Sequence, residues 1–199
     1  MISRLKMLVT GILCLGIAAA GSVAARASAE TQSRGVAEAI LDDVMERLWV
    51  QSDAHWHKGE YNHLINLNRI IVGGHPNNLD AFANMGWLLW SMNRDDEAVA
   101  IYKQGIRANP NTFYMYDELG YYYFLRKKDY KQAIVYYEQA VKFPDCPAPT
   151  VNMLAHAYEK TNQLEKSLKT WERAVKIPGN APAKSNLERV RRLIQQRNR

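Results

Sequence analysis

The sequence predicts an all-α solenoid of stacked helix–turn–helix pairs, and three observations carry that reading. Pro76, Pro110, Pro144 and Pro178 stand at equal intervals along the chain. Proline stops a helix because it lacks an N–H and its ring clashes with the preceding turn. Small residues recur with nearly the same period, at Gly86 and Gly120 and at Ala98 and Ala133. Between the stops, large apolar residues return every three or four positions, the mark of amphipathic helices. A period of about 34 residues is that of one helix pair, which buries its apolar face only by stacking on another pair.

The amino terminus is a separate matter. Residues 1–6 carry Arg4 and Lys6, residues 7–25 carry no charge, and the small-x-small sites Ala25-Arg26-Ala27 and Ala27-Ser28-Ala29 follow. That order predicts a secretory signal peptide over residues 1–29, cut after Ala27 or Ala29. The alternative is an inner-membrane anchor through residues 7–25, which approach a bilayer-spanning length. Export, to the periplasm or the medium, is the expectation. Of the 26 basic groups, removal of Arg4, Lys6 and Arg26 leaves 23 against 20 acids, a net +3 rather than +6. With Cys14 gone, Cys146 is the sole cysteine, so no internal disulfide is available. Its setting, Phe-Pro-Asp-Cys-Pro-Ala-Pro, reads as a loop between repeats.

The domain is expected over residues 34–199. From Val36 to His57 there is no Gly or Pro, and Ala37, Ile40, Leu41, Val44 and Leu48 trace one face. One long helix is predicted, its second half opening a first repeat at about 45–78. Lys58-Gly59-Glu60-Tyr61 makes the turn, and Leu64, Ile65, Asn68 and Ile71 mark the second helix. The second repeat, 79–112, is the most regular. The third, 113–147, carries Leu119 and Gly120 on its first helix and Ala133, Tyr137 and Ala140 on its second. Gly86 to Gly120 matches the interval between the prolines, but Ala98 to Ala133 exceeds it by one, so one residue is inserted. The turn Arg126-Lys127-Lys128-Asp129 is the expected place, because turn backbone is already solvated. The fourth repeat, 148–180, repeats the set as Val151, Leu154, Ala155, Ser167, Trp171 and Ala174. A closing helix at about 183–198, apolar only at Leu187, Val190, Leu193 and Ile194, would cover the last exposed flank.

In the second repeat Gly86, Ala98 and Gly105 are small, while Phe82, Met85, Leu89, Ile101 and Tyr102 are large. With the prolines, this pattern resembles the tetratricopeptide repeat (TPR) family across about residues 45–180. The resemblance implies a right-handed α-solenoid of about four repeats with a C-terminal capping helix. It also implies a protein-binding scaffold whose first helices line a concave groove. Carried over by position, the groove residues are Trp49 and Asp53 in the first repeat, and Asn84, Trp87 and Trp90 in the second. Asp117, Glu118, Tyr121 and Phe124 follow in the third, and Asn152 and His156 in the fourth. Aromatics are frequent interface anchors, and the acids favour a partner with some positive charge. The competing reading has Trp56, Trp90 and Phe124 packed between helices. The Lys/Arg/Asn clamp with which some TPR domains hold acidic chaperone tails is not matched, since only Asn84 agrees and Glu118 would repel a carboxylate.

Other classes have less support. There is no HExxH, CxxC, Gly-rich phosphate loop or GxSxG, so neither catalysis nor a cofactor is expected. His55, His57 and His63 lie close in sequence, but His55 and His57 are two apart and cannot share a helix face. A metal-dependent enzyme is therefore the weakest reading. Arg189, Arg191, Arg192 and Arg197 could meet anionic lipid or an acidic partner, against a plain solvated face; nucleic acid is not expected for an exported chain. The main alternative to an envelope adaptor is a self-associating structural protein. The sequence names no partner.

Overall fold

Among the described residues helices account for all the regular structure, and their boundaries follow the stops and caps in the sequence. The computed structural model describes residues 35, 36 and 38–199. The signal-peptide reading of residues 1–29 and the anchor reading of 7–25 lie outside them. The chain divides into two units, one ending at Ala54 and the other running from His55 to Arg199. Residues 38–57 are helical (α1). In the first unit Ile40, Val44 and Val50 are exposed and Trp49 is half-buried.

In the second unit α2 spans Tyr61–Gly74, α3 Leu79–Ser91, α4 Asp95–Ala108 and α5 Tyr114–Tyr121. A π-helical segment, Tyr122–Lys127, extends α5. Then come α6 (Tyr130–Ala140), α7 (Ala148–Lys160), α8 (Leu164–Ala174) and α9 (Pro182–Arg197). Each helix from α2 onward packs on its neighbour in sequence, and α3 also touches α5. No strand occurs among the described residues. None of their helices is long and apolar enough to cross a membrane.

The turns inside the pairs share one backbone device. Gly59, Asn93, Lys128 and Asn162 all have positive φ, at 71°, 61°, 53° and 57°. A left-handed residue ends a helix and reverses the chain, and glycine or asparagine adopts it at least cost. These four positions keep the period of the prolines, save that the middle interval is longer by one. They show how the inserted residue is accommodated. Lys128 keeps the left-handed conformation of Asn93, but the Asp129 N–H reaches back to the Tyr123 carbonyl at 2.9 Å, one residue further along the chain than the Arg94 N–H reaches to Leu89. The extra residue is taken up as the π-helical segment Tyr122–Lys127, which begins ahead of the expected stretch and includes its Arg126 and Lys127; a helix absorbs one residue in this way without losing its hydrogen bonds. Asp129 then caps α6 by accepting from the Gln132 N–H at 3.0 Å, as Asn78 caps α3 by accepting from Ala81 at 2.9 Å.

Small residues sit where helices cross. A Cβ at Gly86 would lie 2.3 Å from the Tyr102 ring, and one at Gly120 would lie 2.8 Å from the Tyr137 ring. Both rings are fully buried. Leu64, Ile65, Phe82, Met85, Leu89, Met115 and Leu119 form a continuous core around Tyr102, while Tyr137 packs with Ala133, Ile134, Leu154 and Tyr158 in a second cluster. The closing helix buries Ala183, Leu187 and Val190 against Val151, Ala155, Trp171 and Ala174. In α2, Asn68 stands where the other repeats carry a ring; its amide donates back to the Leu64 carbonyl at 2.9 Å.

Polar contacts also cross between repeats. Asp95, opening α4, accepts from the Tyr122 hydroxyl at 3.0 Å and from Arg126 Nε at 3.2 Å, while Arg126 also donates to Asn93 at 2.7 Å. The guanidinium beside it holds the Asp95 carboxyl below its ordinary range. At the far end Glu159 of α7 accepts from Trp171 Nε1 of α8 at 3.0 Å and from Arg189 of α9 at 2.6 Å. One carboxylate thus joins three helices.

Candidate binding face

The exposed side chains of α3 and α5 follow from the repeat register. Positions 84 and 118, and likewise 87 and 121, are separated by one repeat and so occupy matching places on adjoining helices. Asn84 is exposed, and Trp87 and Tyr121 keep 42% and 41% of their surface in water, too much for core residues. Trp87 is part of an aromatic run. Its ring centroid lies 5.5 Å from Trp56 and 6.0 Å from Trp90, and Trp56 lies 5.8 Å from Tyr61. Trp90 is half-buried and donates its indole N–H to the Tyr102 hydroxyl at 3.3 Å, so its polar end is engaged in the pair crossing. Phe124 is half-buried, edge-on to Tyr130 at 5.1 Å. Trp56 keeps an exposed edge while its ring lies against Tyr61 of α2 and Trp87 of α3.

Asp117 and Glu118 precede Tyr121 on α5 by four and three positions, which puts all three on neighbouring parts of the helix surface. Both carboxyls are half-buried. Burial, and then the adjacent Asp117 charge, pushes Glu118 up to about 7. Burial also raises Asp117, with the nearby Thr150 hydroxyl acting the other way. The groups that feel the Glu118 charge include Tyr102, Tyr114 and Tyr137, all phenols made harder to ionise first by burial. Among the described residues no basic side chain forms an ion pair with Asp117 or Glu118. These are two partly dehydrated acids without a counter-charge, beside two exposed rings.

The remaining expected residues fall elsewhere. Asn152 and Asn180 exchange side-chain amide hydrogen bonds at 2.9 and 3.0 Å, so Asn152 ties α7 to the loop before α9. His156 lies edge-on to Trp171 at 5.0 Å and 3.5 Å from the Glu159 carboxylate. Trp49 and Asp53 belong to the first unit, Trp49 half-buried and Asp53 exposed. The basic helix α9 is largely paired within the chain: Arg189 with Glu159, Arg191 with Glu172 and Arg197 with Glu165. Arg192 is exposed. Cys146 is half-buried, and burial pushes its thiol up to about 11, which keeps it protonated at neutral pH.

A cluster that spacing along one helix did not reveal forms across the first turn. His55 lies in the last turn of α1, Glu60 precedes α2 and His63 lies in its first turn; one donor atom from each lies within 4.8 Å of the others. The relation invisible to helix periodicity is the chain reversal at Gly59.

A family model described as tetratricopeptide repeat matches residues 79–112, 113–144 and 148–180. The chain belongs to the tetratricopeptide repeat family. Solved structures agree in fold. MamA is 18% identical with a TM-score of 0.59, covering 74% of this chain and 86% of its own. PilW, described as a widely conserved type IV pilus biogenesis factor, is 17% identical with a TM-score of 0.57, covering 77% of this chain and 71% of its own. A thermophilic TPR protein of Thermus thermophilus is 17% identical with a TM-score of 0.55, covering 73% and 80%. At such identities the likeness concerns the fold. No curated protein sequence matches.

Proposed function

We propose that this TPR chain is a non-catalytic scaffold of the cell envelope that holds an extended peptide segment across the face of α3 and α5. The occupant carries a Lys or Arg that meets Glu118 and Asp117, and an apolar side chain that lies on Trp87 and Tyr121. The observation that carries this reading is the pair of half-buried acids with no ion-pair partner among the described residues. Leaving such groups unpaired disfavours their charged form, and an incoming cation relieves that cost. Exposed indole and phenol rings beside them supply contact area at small conformational cost. The scaffold is read as four repeats, with residues 45–78 as the first. The envelope setting rests on the charge pattern of residues 1–29 and on the fold shared with the pilus biogenesis factor PilW.

The test is capture of basic–aromatic peptides by the mature chain and its variants. Trp87→Ala with Tyr121→Ala should abolish capture, and Glu118→Gln should weaken it about tenfold, while the helical melt stays within a few degrees of wild type. A collapse of the melt in the double variant would place those rings in the core and defeat the assignment. Sedimentation decides between adaptor and self-assembly, since the adaptor gains mass only when the peptide partner is added. Amino-terminal sequencing of protein from a periplasmic fraction, beginning at Ser28 or Glu30, checks the export reading.

A further inference from the structure

We propose that His55, Glu60 and His63 form a binding site for a divalent transition metal of the zinc class, unconnected with the α3–α5 face. Two imidazoles and one carboxylate are a recurrent zinc donor set, and three protein donors leave a fourth position for water or for a donor from another molecule. The donors already converge. His55 Nδ1 donates to Glu60 Oε2 at 2.5 Å, His63 Nδ1 lies 4.0 Å from the same oxygen, and the two imidazoles meet edge-on at 5.1 Å between centroids. Tetrahedral zinc with bonds near 2.0–2.1 Å sets its donors about 3.3 Å apart. The His55–Glu60 pair must therefore open by less than 1 Å and the His63–Glu60 pair close by a similar amount, roughly, to reach that spacing. Glu60 and His63 are exposed, so rotation about their side-chain bonds supplies this movement without shifting the backbone.

The backbone beneath the site is fixed. Gly59 takes the left-handed conformation at φ 71°, and its N–H donates to the Trp56 carbonyl at 3.0 Å. Glu60 N–H donates to the His55 carbonyl at 3.0 Å, and His63 N–H donates to the Glu60 carbonyl at 2.9 Å. Each donor residue is thus bonded through its main chain to the next, which limits the ordering cost of binding. A metal here replaces the proton shared by His55 and Glu60. Lys58 is the basic group whose charge acts on Glu60 besides the two histidines, and it opposes the incoming cation.

Tag-free mature protein titrated with zinc chloride in a calorimeter, with far-ultraviolet circular dichroism as the check on folding, tests the site. One equivalent should bind, and His55→Ala, His63→Ala and Glu60→Gln should each weaken it at least tenfold. His156→Ala and Cys146→Ser should leave it unchanged, and Lys58→Ala should tighten it. The absence of a single-equivalent isotherm in the wild type, or equal affinity in folded His63→Ala protein, would overturn the assignment.

Discussion

The close approach of Gly86 to Tyr102 permits a prediction of sign as well as size. In Gly86→Ala the new methyl carbon would sit 2.3 Å from Cζ and 2.4 Å from Cε1 of a ring that is 1% exposed. Carbon atoms pack without strain at about 3.5–4.0 Å, so the ring or the helix must retreat by roughly 1 Å. Overpacking of a filled core on this scale costs about 1–3 kcal/mol. The displaced hydroxyl also loses the Trp90 indole N–H it accepts at 3.3 Å, worth about 0.5–1.5 kcal/mol. Against these stands a gain of up to about 1 kcal/mol from replacing glycine by alanine within a helix. The net expectation is destabilisation of about 1–3 kcal/mol, or roughly 2–10 °C in melting temperature for a domain of this size. Gly73→Ala is the matched control, because its added Cβ meets nothing within 4 Å and it lies in helix α2. It should raise the melting temperature slightly. Calorimetric melts of both variants decide the matter; a Gly86→Ala protein as stable as Gly73→Ala would refute the packing account.

Two further outcomes depend on pH, beside the peptide-capture and zinc tests above. Glu118 has its pKa raised to about 7 by burial, so a cationic peptide that ionises it should bind more tightly as pH rises toward 7 and level off above it. Calorimetry in two buffers of different ionisation enthalpy should show proton release near pH 6.5, absent in Glu118→Gln; affinity flat between pH 5.5 and 8 contradicts the pairing. Glu159 is depressed to about 2: burial raises it, but hydrogen bonds from His156, Arg189 and Trp171 together outweigh that. Its stabilisation is therefore present above about pH 4.5 and lost as pH falls toward 2, amounting to on the order of 2–3 kcal/mol after allowance for solvent screening. Glu159→Gln should lose that much at pH 7 and show a shallower acid transition in circular dichroism.

Pattern alone conveyed the stack because its determinants are local. A proline ends a helix wherever it stands, and Gly86, Gly120 and Ala133 had to be small for rods to cross. Trp87 and Tyr121 were legible as exposed rings for the same reason, since the register that buries Met85 and Leu119 turns them outward. Features joining distant segments were not. The engagement of Asn152 with Asn180, and of Arg189 with Glu159, depends on where α9 docks. The extra residue of the third repeat went into a widened helical turn that runs into the reversal at Lys128, where the N–H groups of Lys128 and Asp129 both reach back to the Tyr123 carbonyl. The dehydration of Glu118 is a property of its surroundings, which spacing does not encode. His55 and His63 meet only because Gly59 folds the chain back on itself.

The docking of α9 has a consequence for how such a protein changes length. Its buried edge, Ala183, Leu187 and Val190, lies against Trp171 and Ala174 of α8, the side on which the opening rod of another unit would be received. Besides this apolar contact the seam is tied by arginines of α9 and by the Asn152–Asn180 amide pair. A duplicated helix-pair cassette spliced in ahead of Pro182 would meet surfaces already shaped for it, and the same lid would settle on the newcomer. Growth by copying is thus available to the gene without redesign of the closing helix.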